Sequence, residues 1–213
     1  KWKVIKKKKA NKMKQKIYQS IFIILCIIAV VLLVCIIKKY GGRKINETKN
    51  QETLEVFSKI NVESTYNTED TDNKVQMQGY DVIGVIKIPK INIEYPIVAI
   101  ETSNPEETKK PMKFAIVRYW GNMVNDYGNL SIAGHNNYDG TMFGKTKKLE
   151  IGDEIELTDL KKRTIKYEIY SKFNTDPNDV SVLKTEDNEI REITLITCTN
   201  GNKERLIIKA REK

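Results

Sequence analysis

Two residues stand out in this 213-residue chain because each is the sole one of its kind placed for covalent chemistry near neutral pH. His135 is the only histidine. Of the three cysteines, Cys26 and Cys35 lie inside an uncharged apolar run, which leaves Cys198 alone outside it. A cysteine thiol has an ordinary pKa of about 8.5, so only a few per cent is thiolate at pH 7. A neighbouring cation or base raises that fraction or takes the proton, and an imidazole can then protonate a leaving amine. Taken alone, each residue also has a bland reading: a lone histidine is commonly structural and a lone cysteine commonly an inert small hydrophobe.

The flanking residues favour a site. Cys198 ends the run Ile193-Thr194-Leu195-Ile196-Thr197 and precedes Thr199-Asn200-Gly201-Asn202, at the mouth of an expected strand. His135 follows Ser131-Ile132-Ala133-Gly134 and precedes Asn136-Asn137-Tyr138-Asp139-Gly140, also at a strand end. Asn200-Gly201 is a strong hairpin signal. If the two form a two-residue turn, Cys198 faces Lys203, and Arg205 lies on the same face at a diagonal distance of roughly 7–8 Å. If the loop is four residues long, Cys198 faces Arg205 directly. Only an odd loop or a bulge would turn Arg205 away. Arg191 and Arg211 lie further along their strands and are poorer partners.

The elements that must position these residues are short and β-branched. Candidate strands are Val82–Ile88, Ile93–Ile100, Phe114–Tyr119, Leu130–Gly134, Glu154–Thr158, Thr164–Phe173, Glu192–Cys198 and Glu204–Ala210. Eight strands in so few residues leave little room for helical crossovers, so a closed or nearly closed, mainly antiparallel barrel is expected. Short helices are expected at Asn104–Lys110 and Thr141–Leu149, with another after Asp176-Pro177.

The N-terminal part differs in kind. Residues 1–16 hold nine of the 37 basic residues and no acid, so the remaining 28 basic residues balance the 28 acids. The formal charge of +9 is therefore a local tail, and a phosphate-neutralising groove is not indicated; no nucleic-acid partner is expected. Residues 17–37 carry no charge. As a helix they would rise about 32 Å, enough to cross a bilayer. The run is longer than the apolar core of a signal peptide and lacks a small-residue cleavage pattern, so a retained anchor is expected. By the positive-inside rule the lysines are expected to keep residues 1–16 in the cytoplasm, with residues 38–213 outside. Residues 38–79 are polar and read as an extracellular spacer, in which Leu54, Val56, Phe57 and Ile60 could form a weak docking helix. Residues 80–213 read as the catalytic domain.

Together these residues resemble a family. Thr194-Leu195-Ile196-Thr197-Cys198 matches the sortase signature TLxTC at every fixed position. Ala133-Gly134-His135-Asn136, followed by Gly140-Thr141-Met142-Phe143-Gly144, resembles the family's histidine region. Leu149-Glu150-Ile151-Gly152-Asp153-Glu154-Ile155 resembles the L-x-x-GD-x-I stretch that follows it. Arg205, before Leu206-Ile207-Ile208, matches the arginine that opens the family's last strand. The resemblance spans about residues 82–211 and keeps the order His, Cys, Arg.

It implies a mainly β fold, an eight-stranded sortase-type barrel with short helices behind an N-terminal transmembrane helix. It also implies a two-step transfer. Cys198 would attack the carbonyl after threonine in an LPxTG-like signal of secreted proteins, and His135 would protonate the departing amine. The thioester would pass to a peptidoglycan amine, with Arg205 binding substrate or stabilising the oxyanion. Residues 174–190 match the family's substrate-groove loop in position. The histidine region looks nearest class B and the short spacing from Cys198 to Arg205 looks like class D, so the class stays open. No cofactor is expected, and a calcium site like that of some class A members is not carried over. Two other readings use the same residues: a cysteine endopeptidase with water as acceptor, and a non-catalytic exported barrel.

Overall fold

The computed structural model describes residues 2–59, 74–100, 105–184, 187 and 189–213. The chain divides into two compact units, residues 1–46 and 47–213. A single helix, α1 (Trp2–Lys59), makes up the first unit and continues into the second. Within it lies the one stretch among the described residues that is long and apolar enough to cross a membrane.

The second unit is a barrel. After the two-residue β1 (Gln76–Met77) come β2 (Tyr80–Ile88), β3 (Ile93–Val98), the short helix α2 (Pro105–Met112), β4 (Ile116–Gly121) and β5 (Gly128–Ala133). Then follow β6 (Glu154–Asp159), β7 (Thr164–Thr175), β8 (Arg191–Thr199) and β9 (Glu204–Glu212). The strand order is β1-β2-β3-β4-β5-β8-β9-β7-β6, and β6 also pairs with β2. That last pairing closes eight strands into a ring and leaves β1 as a hairpin extension of β2. β3–β4 and β5–β8 are parallel, and the other pairings in the ring are antiparallel.

All eight expected strands form; β1 was not expected. Period-two alternation explains the barrel. Ile86, Ile97, Ile116, Ile132, Leu195 and Ile208 belong to one buried cluster that fills the interior. The alternate positions of the same strands face outward. There Val82, Val98, Val117, Ala133 and Ile196 pair in sequence from β2 to β8. They form a second apolar cluster with Phe57, Val75 and Met77.

The expected helix at Thr141–Leu149 is reduced to a 3-10 turn at Thr146–Lys148. The cause is local: Gly140 (φ 84°) and Met142 (φ 49°) adopt left-handed backbone, and Asp139 Oδ1 accepts from both the N–H and the hydroxyl of Thr141. These bonds compete with helix formation. The helix expected at Asn104–Lys110 is α2, with Asn104 itself outside the described residues. The one expected after Asp176-Pro177 is a 3-10 turn at Ser181–Leu183.

Within the stretch that reads as a spacer, residues 47–59 are helical and dock on the barrel. Asn50, Thr53 and Phe57 are buried, at helical spacings, while Val56 is exposed. The Lys162 ammonium lies 3.7 Å from the centre of the Phe57 ring. Ile60 and the rest of the stretch to residue 73 lie outside the described residues.

Candidate active site

Cys198 is the penultimate residue of β8, and its partner across the antiparallel pair is Arg205 on β9. Directly opposed residues have Cβ atoms about 4.5–5.5 Å apart, so the guanidinium can reach the thiol's surroundings without backbone movement. Of the two hairpin geometries open in the sequence, the four-residue loop is the one formed. Thr199 pairs with Glu204, and Asn200, Gly201 and Asn202 take φ of 48°, 61° and 72°. Asn and Gly tolerate that left-handed region, which is why this run can build a longer loop than a two-residue turn. Arg205 Nη1 donates to the carbonyls of Asn202 and Glu204, each at 3.2 Å, so the guanidinium is held at the hairpin.

His135 lies beyond the end of β5, the parallel neighbour of β8. Ala133 pairs with Ile196, so two residues on, His135 comes level with Cys198 on the same outer face. Three bonds stitch the two strand ends together. The Gly134 N–H donates to the Ile196 carbonyl at 3.2 Å. The Thr197 hydroxyl, buried, donates to the Gly134 carbonyl at 2.7 Å. The Asn136 amide donates to the Cys198 carbonyl at 2.8 Å. His135 is thus flanked on both sides by residues bonded to the segment that ends in Cys198.

The loop after His135 is folded tightly onto the barrel. Phe143 N–H donates to the His135 carbonyl at 3.0 Å, Asn136 and Met142 form a bridge, and the Phe143 ring is fully buried. Gly144 is required by close approach: a Cβ there would stand 2.1 Å from the Asn137 carbonyl oxygen. The His135 residue is exposed to solvent, yet the protein packed around its inner side disfavours the imidazolium and sets its pKa below the ordinary histidine value.

Cys198, Arg205 and Ile196 are half-buried, while the row that leads to Ile196 is buried. On the outer face of β5 and β8, Asn129, Ser131 and Thr194 are buried polar residues. Thr194 donates to Asn129 Oδ1 at 3.0 Å, and the Asn129 amide donates to the Leu183 carbonyl at 3.2 Å. These bonds hold residues 181–183 of the β7–β8 connection against the barrel, on the same outer face as Cys198. Further along, Lys209 pairs with Glu192 at 3.2 Å, both nearly buried, and Tyr170 donates to the same carboxylate at 2.6 Å.

His135, Cys198 and Arg205, the three residues singled out in the sequence, therefore converge at one rim of the barrel. The arrangement can offer a thiol, an imidazole and a guanidinium to one extended substrate. Sequence reasoning missed Asn136 and Thr197 as cross-links. Their one signal was polar character beside each reactive residue. All three cysteines are free. Among the described residues, no group of three or more His, Cys, Asp or Glu side chains could hold a metal ion.

The Sortase domain family model matches residues 86–213. A sortase D from Bacillus subtilis is 30% identical over 173 residues, which cover 76% of this chain and 82% of that protein. The solved structure of a Clostridium perfringens sortase D5 transpeptidase superposes with a TM-score of 0.61 at 30% identity, covering 80% of this chain and 99% of that one. A Clostridium perfringens sortase C, solved with the C-terminal cell wall sorting motif, has the same fold at a TM-score of 0.53 and 24% identity, covering 84% and 98%.

Proposed function

The chain belongs to the sortase family of cysteine transpeptidases, and from that premise we propose that Cys198 is its nucleophile, His135 its proton donor and Arg205 its cation at the oxyanion or the bound peptide. The observation that carries the assignment is the shared rim: Arg205 directly opposite Cys198, and His135 stitched beside it through Thr197 and Asn136.

The substrate is a secreted protein with a C-terminal LPxTG-like signal. The Cys198 thiol gives its proton to His135 as Sγ attacks the carbonyl carbon of the threonine. The C–N bond breaks, and His135 gives its proton to the departing amine. An acceptor amine of peptidoglycan then attacks the thioester, the C–S bond breaks and a new amide forms. The sortase C structure solved with the C-terminal cell wall sorting motif supports a C-terminal signal as the substrate class. Preorganised donors at a developing oxyanion contribute a few kcal/mol to such a step, and general acid catalysis typically contributes 10²–10⁴-fold.

The apolar helical stretch supports a membrane anchor. In this reading residues 1–16 are cytoplasmic, 17–37 span the bilayer, 38–79 connect, and 80–213 catalyse outside the cell. The test of the chemistry is mass spectrometry of the enzyme with a panel of LPxTG-like peptides. The expected result is a thioester on Cys198 that is discharged to an added amine as a covalent peptide adduct. Hydrolysis alone, unchanged by amine, would make the enzyme a peptidase. Peptide turnover by folded Cys198→Ala would remove the assignment.

A further inference from the structure

Glu47 is the first residue of the second unit, and its carboxylate meets a member of the barrel's interior cluster. Tyr95 on β3 belongs to that cluster and is 5% exposed, yet its hydroxyl donates to Glu47 Oε2 at 2.8 Å. A buried phenol on an interior-facing strand position needs a partner for its hydroxyl, and here the partner comes from outside the barrel. Met142 belongs to the same buried cluster, and the phenol, whose ionisation is disfavoured first by burial, also feels the Asp139 carboxylate. Both residues lie in the loop that follows His135. Met142 is itself buried, with left-handed backbone (φ 49°), and bridges to Asn136. Asn136 in turn donates to the carbonyl of Cys198. A chain of contacts therefore runs from Glu47 through Tyr95, Met142 and Asn136 to Cys198, with His135 the residue before Asn136.

We propose that the juxtamembrane helix is a working part of the active site: Glu47 fixes Tyr95, and Tyr95 fixes the Met142 turn that sets His135 and Asn136 against Cys198. Tyr95 and Glu47 are positioning residues, since neither reaches the reacting atoms except through that turn. The docking supports this reading over an incidental contact. Asn50, Thr53 and Phe57 follow Glu47 down one buried face, so the helix is clamped along several turns and Glu47 is presented in a fixed place. The inference rests on the assignment of His135 and Cys198 as the reacting pair.

The test uses the full chain in detergent micelles, with a quenched LPxTG-like peptide and an amine acceptor. Tyr95→Phe removes only the hydroxyl, and Glu47→Ala removes only its acceptor. Each should lower kcat about five- to tenfold, the worth of one ordinary hydrogen bond, with the peptide KM unchanged within about twofold. Glu47→Gln keeps a carbonyl acceptor and should retain wild-type kcat. The double variant Glu47→Ala/Tyr95→Phe should lose no more than either single one, because both break the same link. His135 is the sole histidine, so its ring gives one assignable signal, and that signal should move in Tyr95→Phe. An unchanged kcat and unchanged His135 signal in Tyr95→Phe, with only the melting temperature lowered, would reduce the contact to a docking bond and overturn the proposal. If Tyr95→Phe does not fold, Glu47→Ala decides by the same two readouts. Wild-type turnover alongside silent variants sinks this inference alone. Absence of any thioester in the wild type sinks it together with the assignment beneath it.

Discussion

Thr197→Val is the substitution whose consequences follow most directly from the geometry. Valine keeps the shape and the β-branch, so the strand position is undisturbed. What is lost is one hydroxyl, buried at 4% exposure, whose bond to the Gly134 carbonyl is 2.7 Å long. A net hydrogen bond contributes about 0.5–1.5 kcal/mol, and leaving a buried carbonyl unsatisfied costs about 1–3 kcal/mol. The expected destabilisation is therefore about 1–3 kcal/mol, read as a lower urea midpoint at unchanged m-value. The effect on turnover should be larger. Gly134 is the residue before His135, and without the bond the ties from this loop to β8 are reduced to the Gly134 N–H contact with Ile196 and the Asn136 contact with Cys198. A displacement of about 1 Å of a catalytic group can cost on the order of 10²-fold. Peptide cleavage by Thr197→Val should fall by about ten- to a hundredfold in kcat, and Thr197→Ser, which restores the hydroxyl, should recover most of it. Wild-type kcat in folded Thr197→Val would show that the strand-end stitch does not position His135.

Other outcomes follow from the same rim. His135→Ala should fold and lose about 10²–10⁴-fold in turnover; full activity in the peptide assay would require another proton donor. Arg205→Lys keeps the charge but loses the planar fork, so most activity should vanish with circular dichroism unchanged, and wild-type turnover would reduce Arg205 to a hairpin residue. The His135 ring signal should titrate below about 6.5, the ordinary histidine value. Because the fold favours the neutral ring, the stability this provides is present above that pH and is lost as pH falls below it; His135→Gln should flatten the loss, and a titration midpoint at or above 6.5 would refute it. Lys209→Ala strands the Glu192 carboxylate beneath the outer face and should cost about 3–5 kcal/mol in urea unfolding, with a loss under about 1 kcal/mol counting against a buried pair.

The barrel was legible in the sequence because its signal is local. Eight runs alternate between interior and exterior residues, and each carries its own pattern. β1 was not legible, since two residues, Gln76 and Met77, have no period. The hairpin after Cys198 was legible only up to its length: Asn200, Gly201 and Asn202 all accept positive φ, so a two- and a four-residue loop look alike until the strand register chooses. The helical character of residues 40–59 was hidden by Gly41-Gly42 and by polar composition, while its docking face depends on a barrel surface far away in the chain. The cross-links were hidden for the same reason. Asn136 and Thr197 reach partners 62 and 63 residues distant, and no local pattern announces a contact of that range.

The position of the rim also bears on how, in the proposed mechanism, one site can release one amine and then admit another. The barrel interior is filled by branched aliphatic side chains and admits no peptide. The outer row from Val82 to Ala133 is already covered, partly by the chain's own Phe57, Val75 and Met77. Between the covered row and residues 181–183, Ile196, Cys198 and Arg205 remain half-open on the outer face, and His135 lies exposed at the strand ends. An extended donor peptide can be held along the strand face, while the leaving segment and the incoming amine use the open strand-end side. In the proposed mechanism the imidazole, on that side, gives a proton to one amine and takes one from the next. A nucleophile inside the barrel would be better shielded from water but could not exchange amines without opening the fold. The outer-face rim trades that shielding for access, and the stitched strand ends keep the three side chains in register while substrates come and go.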